Sequence, residues 1–454
     1  MNLFAFISVF CSIQILCLII GRRASRNLKG KEDYFLSGKG VKFFPLMMTF
    51  LATQVGGGTI LGSAQEAFQF GWAVLLYPLG ASIGMILLGL GIGQRLAGFK
   101  VSTVAEILEV VYRSSSLKKI ASILSMISLF MILTAQIIAS QKFLISLGLT
   151  STPLFLVFWG FVIFYTVQGG LKAVIATDIF QTLFFIGVFL ACLAFALFTP
   201  HFSFFQFTEV EPFQFPSSKL YGWLFMPLLF MLIEQDMGQR CFAGSSPKTV
   251  GRASLVAGLA TFSICLIPVL FGMGAQILGL NIPDGASVFM TAVSAISPPW
   301  IATLVGCAVL TAVLSTADSL INAIGSNLSN DFKLPLFQGR RGLRSARMTS
   351  ALIAVGALFF SFAFNNVVDV MIQSYALSVS ALFVPIFVAL FKRKGNFLSA
   401  LLAMIFGTFG FALFLVYPLP FPKELASLLL SFLAFSLGEA IAWYKSKKGI
   451  INWS

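Results

Sequence analysis

The sequence predicts an all-α membrane protein with about 13 transmembrane helices, each requiring about 20 mostly apolar residues. Composition is the first observation: 58% of the 454 residues are hydrophobic and 10% are charged, whereas soluble domains are about 25% charged. Apolar stretches of spanning length recur along the chain, and basic residues lie in the short loops between them. A water-soluble fold is therefore excluded.

The predicted spans are separated by short loops. They cover residues 2–21, 43–67, 71–94, 118–146, 151–168, 172–198, 219–238, 251–279, 297–326, 346–366, 368–391, 396–417 and 424–444. The first apolar run lacks a preceding basic segment and a small-residue cleavage site, so we expect a retained helix rather than a signal peptide. Arg22 and Arg23 follow this run, which predicts that the N-terminus lies outside.

The positions of Lys and Arg support this topology. Of the 30 basic residues, we expect only Lys142, Lys219 and Lys423 on or near the outside, which predicts a cytoplasmic C-terminus in the cell inner membrane. The net charge of +14 then reflects orientation in the membrane. The lipid bilayer is the expected partner; no nucleic acid and no obligate protein partner are predicted.

The sequence does not carry the pattern of an enzyme. It contains neither a nucleotide-binding P-loop nor a metal-ligand cluster, and its six Cys are interpreted as apolar packing residues. The single histidine, His201, falls in a predicted outer loop and is interpreted as an ordinary surface residue. ATP hydrolysis and metal ions other than sodium are therefore not expected.

The second span contains three consecutive glycines, Gly56, Gly57 and Gly58, at the predicted middle of the bilayer. Glycine weakens a helix by about 1 kcal/mol relative to alanine, and a freed backbone group is tolerated at this depth only inside protein or beside a wet cavity. Broken helices of this kind form ion and substrate sites in secondary transporters. The alternative is close packing between helices, which prefers small residues spaced four apart.

The ninth span contains the run Ser315-Thr316-Ala317-Asp318-Ser319. Hydroxyl and carbonyl oxygens suit sodium, a hard cation. The alternative is that each hydroxyl bonds the carbonyl one turn earlier in its own helix, which we favour for either hydroxyl alone. A carboxylate inside a membrane span is functional by default, so the cluster as a whole indicates a site.

Two further polar segments remain open. Asp178 lies near one end of the sixth span, where it could bind an ion or stabilise a helix N-terminus. The run Glu234-Gln235-Asp236 precedes Arg240 in the seventh span. This run could be a second broken helix or the membrane boundary.

Together these segments resemble the sodium:solute symporter family. The matching pieces occur in the order typical of the family: Gly21-Arg22-Arg23 followed by Asp33-Tyr34-Phe35-Leu36-Ser37-Gly38; the glycine-rich second span; Gly169-Gly170-Leu171-Lys172-Ala173-Val174 with Thr177, Asp178 and Gln181; Gln239-Arg240; and Ser315-Thr316-Ala317-Asp318-Ser319. The resemblance extends to about residue 330, and more loosely to the eleventh span.

This resemblance implies the leucine-transporter fold, with five-plus-five inverted repeats, in a single transporter domain over residues 1–454. The repeats would cover 43–198 and 219–391, with accessory helices at 1–21 and 396–444. The resemblance places the principal sodium site at Ala52, Val55, Ala312, Ser315 and Thr316. A second sodium would lie at Asp178, Ser315, Asp318 and Ser319. The broken second span is the expected solute site, at Gln54, Gly56, Gly57, Gly58 and Thr59.

The implied function is sodium-coupled symport, in which alternating access imports a small organic solute and Na⁺ is the coupling ion. One alternative is a proton-coupled transporter of the same fold, with Asp178 or Asp318 titrating. Another is a membrane sensor that transports nothing. The solute stays open, because Gln54 stands where choline transporters carry an aromatic residue, and a quaternary ammonium needs an aromatic cage.

Overall fold

The computed structural model describes residues 3–26, 31–37, 40–198, 217–332, 342–392, 394–417, 419 and 421–447. The predicted outer loop that contains His201 lies outside these residues. All regular elements of the described chain are helical, with one isolated β-bridge between Val41 and Gly244. The predicted all-α fold is confirmed.

The first half of the chain forms nine α-helices. They are α1 Leu3–Ala24, α2 Lys31–Leu36, α3 Phe43–Gln54, α4 Ser63–Phe70, α5 Leu76–Leu87, α6 Gly93–Gly98, α7 Val104–Tyr112, α8 Ser115–Ser146 and α9 Thr152–Leu197. Turns of π-helix at Gly58–Gly62 and Leu88–Ile92 and a 3₁₀ turn at Gly71–Leu75 join some of them.

The second half forms ten. They are α10 Ser217–Met231, α11 Gln235–Ala243, α12 Pro247–Ile277, α13 Val288–Ile296, α14 Pro299–Asp331, α15 Gly342–Phe360, α16 Val367–Ser378, α17 Val384–Phe391, α18 Phe397–Val416 and α19 Lys423–Lys447. A 3₁₀ turn at Ser361–Ala363 extends α15, and a π segment at Val379–Phe383 connects α16 to α17.

Every predicted span coincides with one or more of these helices. Nine helical segments of the described chain are long and apolar enough to cross a membrane alone, and shorter apolar helices include Phe43–Gln54 and Thr152–Phe164. The fifth and sixth predicted spans are the two halves of α9. Their junction is Gly170, with φ 62° and ψ −176°. A Cβ there would lie 2.5 Å from the Tyr34 ring, so both conformation and space require glycine.

Helix α14 is at the centre of the bundle. In its most apolar 18-residue window 89% of residues are buried, against 22% in α1 and 28% in α19. It packs against α8 and α9, and both α3 and α11 also contact it. The outer helices expose apolar side chains such as Phe432 and Leu437, as expected for surfaces that face lipid.

Candidate functional site

The break after α3 frees two backbone carbonyls. In a continuous α-helix the amides of Gly56 and Gly57 would bond the carbonyls of Ala52 and Thr53. Instead Gly56 N–H donates to Thr59 Oγ1 at 2.9 Å, and Gly57 N–H donates to a glutamine on α8 at 2.6 Å. The two carbonyl oxygens are left for other partners inside the bundle.

Two hydroxyls of α14 meet these carbonyls. Ser315 Oγ lies 3.1 Å from Ala52 O and 2.8 Å from Ala312 O. Thr316 Oγ1 lies 3.1 Å from Ala52 O, 3.1 Å from Thr53 O and 3.2 Å from Ala312 O. Two hydroxyls carry only two protons, so they can satisfy only two of these five close approaches. At least three of these approaches therefore join two oxygen atoms with no proton between them.

Val55 and Gly56 form the bend beside this oxygen cluster. Val55 ends α3 with φ −89° and ψ 82°, which turns its carbonyl away from the helical direction; its role as a sodium ligand stays a prediction. A Cβ built on Gly56 would lie 2.4 Å from Thr316 Oγ1 and 2.8 Å from Gln136 Oε1. Glycine at this position therefore allows the bend to approach both α14 and α8.

The second polar segment is a buried break and not a membrane boundary. Helix α10 ends at Met231 and α11 begins at Gln235, while Glu234 between them has an extended backbone with φ −64° and ψ 133°. Glu234, Asp236 and Arg240 are all buried. The structure thus decides the alternative that the sequence left open, and it gives the bundle two discontinuous helices.

A small cavity lies between the two breaks. Its volume is about 20 Å³, which is room for about one water molecule. Residues of both breaks line it: Gln54, Gly56, Gly58 and Thr59 from the first, and Glu234 and Asp236 from the second. Four of the five residues predicted to bind solute therefore face one cavity.

Gly57, the fifth predicted solute residue, lies differently. A Cβ on it would lie 2.4 Å from Ala139 Cβ, so Gly57 packs against α8. Its amide bonds Gln136 Oε1, and Gln136 itself lines the cavity with Met371 and Tyr375. Gln136 is a site residue that sequence reasoning missed, because a lone glutamine in an apolar span gives no local pattern.

Arg240 links the second break to the predicted second sodium residues. Its Nη1 donates to the Asp236 carboxylate. Nη2 donates to Ser319 Oγ at 2.6 Å and lies 3.7 Å from Asp178 Oδ2. Nε donates to Thr49 Oγ1 at 3.1 Å, and that hydroxyl donates to Asp178 at 2.5 Å. A guanidinium thus lies beside two of the four predicted ligands.

Asp178 and Asp318 have different surroundings. Asp178 is fully buried within α9 and lies beyond the first helical turn after the kink at Gly170. The interpretation that Asp178 stabilises a helix N-terminus is therefore wrong. Asp318 accepts a hydrogen bond from Thr166 Oγ1 at 2.5 Å. It lines a separate cavity of about 130 Å³ whose walls include the exposed Arg22.

A third polar cluster connects the far ends of the broken helices. The buried Glu66 on α4 accepts a hydrogen bond from Asn366 Nδ2 at 3.1 Å, and Lys219 Nζ on α10 lies 3.6 Å from its other oxygen. Lys219 also lies 4.6 Å from the centre of the Phe70 ring. These contacts hold α4, α10 and the start of α16 together.

Two buried broken helices around a central cavity define a secondary transporter of the leucine-transporter fold. The solved structure of a Na⁺-coupled sialic acid symporter, in a substrate-bound outward-open state, superposes with a TM-score of 0.80 over 96% of this chain and 97% of that chain. The two sequences are 17% identical. The predicted fold is confirmed.

The chain belongs to the sodium:solute symporter family, whose sequence pattern matches residues 34–407. It is similar to the sodium/pantothenate symporter of Haemophilus influenzae, at 21% identity over 92% of this chain and 91% of that protein. It is also similar to the high-affinity choline transporter 1 of Drosophila melanogaster, at 24% identity over 76% of this chain and 59% of that protein. The chain is thus a multi-pass membrane protein and a sodium-coupled symporter of small solutes, in a family of transporters rather than enzymes.

Proposed function

We propose that the chain imports a small organic solute across the cytoplasmic membrane, with one sodium ion bound between α3 and α14. The proposed ligands are the predicted Ala52, Val55, Ala312, Ser315 and Thr316, together with the Thr53 carbonyl. One observation carries this proposal. The hydroxyls of Ser315 and Thr316 lie close to backbone carbonyl oxygens at five distances, but they have only two protons with which to form hydrogen bonds. A single cation can be coordinated by all of these oxygens at once, which makes their close approach favourable.

The solute is proposed to bind in the cavity between the breaks, against Gln54, Gly56, Gly58 and Thr59. At about 20 Å³ the cavity has to widen before it accepts an organic molecule. Alternating access supplies this change, because one repeat rocks against the other around a fixed midplane site. We expect the contacts of Glu66 with Asn366 and Lys219 to separate when the site opens outward.

The inverted repeats are proposed at residues 43–198 and 219–391, with 1–21 and 396–444 as accessory segments. Both proposed repeats begin with a broken helix, which supports this division. The proposed orientation keeps the N-terminus outside and the C-terminus in the cytoplasm, and rests on the distribution of Lys and Arg.

The second sodium at Asp178, Ser315, Asp318 and Ser319 stays a prediction. Arg240 already provides a positive charge to Asp178 and a donor to Ser319. A sodium ion there would have to share both groups with the guanidinium. We therefore regard the principal site as sufficient for coupling.

The test is uptake of radiolabelled solutes into proteoliposomes, across a panel of small solutes, with and without a sodium gradient at fixed pH. We expect Ser315→Ala and Thr316→Ala each to raise the sodium concentration for half-maximal uptake several-fold, because each loses a ligand oxygen. Thr311→Ala is the matched control, since Thr311 Oγ1 is buried on the same helix but bonds Cys307 O at 2.7 Å.

Each competing function gives a different result in this experiment. Unchanged sodium dependence in both variants would reject the proposed ion site. Uptake driven by a proton gradient without sodium would favour the proton-coupled alternative. Sodium binding with no uptake of any solute would favour the sensor.

A further inference from the structure

The chemistry of the cavity beside the second break restricts the solute. Among the described residues that line it, two carboxylates occur, Glu234 and Asp236, and no Lys, Arg or His. Glu234 Oε2 and Asp236 Oδ2 are buried and have no hydrogen-bonding partner within the described chain. Buried acceptors without donors cost about 1–3 kcal/mol each, and more when charged. Such groups favour a hydrogen-bond donor in the cavity, which is a water molecule in the closed cavity and a ligand when the site is occupied.

The ion pairs at the second break indicate the same residue. Three buried carboxylates, those of Asp178, Glu234 and Asp236, surround the second break, and Arg240 directs its N–H groups to Asp236, Ser319 and Thr49. Asp178 and Asp236 both lie beside the Arg240 guanidinium, whereas Glu234 is the one of these three carboxylates without an ion pair among the described residues.

The rest of the wall suits the same ligand. Tyr375 lines the cavity and stacks on Phe230 with ring centroids 4.6 Å apart, and Met371 lies beside it. An aromatic face and a thioether tolerate a cation and its adjacent carbon atoms. Gln136 Nε2 is a buried donor without a partner in the described chain. It can therefore donate a hydrogen bond to an acceptor atom of the ligand.

We propose that the transported solute carries a protonated amine, which binds Glu234 and Asp236 at the second break, and a hydrogen-bond acceptor that faces Gln136. This inference rests on the proposed sodium-coupled cavity and names the class of its substrate. Glu234 has hydrogen-bonding capacity that a quaternary ammonium leaves unused, because that group has no N–H. The favoured solutes are therefore primary or secondary amines, including amino acids and amino sugars.

The test measures thermal unfolding of the purified full-length protein in detergent, in sodium or in potassium. The added probes are matched pairs in which an amine is replaced by a hydroxyl: ethanolamine and ethylene glycol, L-alanine and L-lactate, and glucosamine and glucose. A ligand that binds the folded state raises its stability by mass action. We expect amines, and not their counterparts, to stabilise the protein in sodium.

Glu234→Gln keeps the shape of the side chain and removes its charge. We expect amine binding to weaken roughly 30-fold or more, since loss of one partner of a buried charged pair has effects of this order. Stabilisation by sodium alone should be unchanged. Glu439→Gln is the control, because Glu439 pairs with Lys392 at an exposed position and does not line the cavity, and it should bind amines as the unmodified protein does.

The outcomes separate this inference from the function on which it rests. If sodium does not stabilise the unmodified protein, the proposed sodium site fails. If sodium stabilises it but no amine does, or hydroxyl counterparts or choline bind equally well, the amine inference is overturned. Weakened sodium binding in Glu234→Gln without any solute would assign Glu234 to an ion and also overturn it. If the Glu234→Gln variant does not fold, the preference of the unmodified protein for amines over their hydroxyl counterparts still decides whether the amine inference holds.

Discussion

The two helix breaks are built from opposite chemistry. The first, at Val55 to Gly58, is neutral: glycine makes it, and its amides turn to Thr59 and Gln136. The second, at Leu232 to Glu234, contains one charged residue and no glycine, and Arg240 holds the helix that follows. A neutral break leaves carbonyl oxygens for an ion, whereas a charged break requires a countercharge. We therefore expect the first break to provide oxygen ligands for the ion and the second break to provide the charge that binds the solute, although residues of both breaks line the cavity.

The largest expected effect comes from Arg240→Gln, which removes the countercharge of the second break. Buried Asp178 and Asp236 would lose their shared partner, and loss of one member of a buried ion pair costs about 3–5 kcal/mol. We expect a much lower unfolding temperature and no uptake. Arg95→Gln is the control, since Arg95 is exposed and lies against the Phe391 ring. Equal stability of the two variants would show that the second break does not depend on its guanidinium.

Gly56→Ala tests whether the first break requires a residue without a side chain at its contact with α14. Its Cβ would meet Thr316 Oγ1 at 2.4 Å, and overpacking of a tight core costs about 1–3 kcal/mol. We expect the sodium concentration for half-maximal uptake to rise roughly tenfold, with the protein still inserted. Gly160→Ala is the matched control, because a Cβ there meets no atom within 4 Å. Normal sodium dependence in Gly56→Ala would mean that this glycine is not needed for the ion site.

Asp318→Asn tests the acid outside both breaks. If Asp318 contributes to a second sodium, the Hill coefficient for sodium should fall toward one while the principal site still binds. If it relays protons, the variant should flatten the pH dependence of uptake and keep its sodium dependence, because Asn does not titrate. An active variant with an unchanged Hill coefficient would exclude Asp318 from a second sodium site.

The smallest effect is expected for Lys219→Gln. Lys219 is partly exposed, and its 3.6 Å pair with Glu66 is of the kind that contributes about 0–1 kcal/mol. We expect the rate of uptake to change less than about fivefold, and the sodium affinity to stay the same. A large loss of sodium affinity would mean that this cluster controls the ion site, contrary to the expectation that sodium affinity depends on the first break.

Much of the fold could be predicted because a lipid environment restricts the solutions. Apolar stretches of spanning length and the glycine run at Gly56 to Gly58 are local features, and each predicts its element directly. Local sequence features could not decide whether the polar run at Glu234 marks the membrane boundary or a broken helix. Its burial depends on how α10 and α11 pack against distant helices.

The site was only partly predictable for the same reason. Spacing predicts that Ser315 and Thr316 share a turn, but it does not predict how α14 is rotated about its axis. Contacts such as Arg240 with Thr49 join residues 191 positions apart, and no local pattern encodes them. The Thr53 carbonyl, a proposed ligand, could not be predicted because its availability depends on which backbone amides the bend turns away from it.

Thr316 belongs both to the oxygen cluster and to the wall of the cavity between the two breaks. One side chain therefore contacts both proposed binding positions, and the position of its hydroxyl affects both equilibria. Thermodynamic linkage then requires reciprocity: the factor by which sodium tightens solute binding equals the factor by which solute tightens sodium binding. A substitution at Thr316 that weakens this coupling must weaken it equally in both directions.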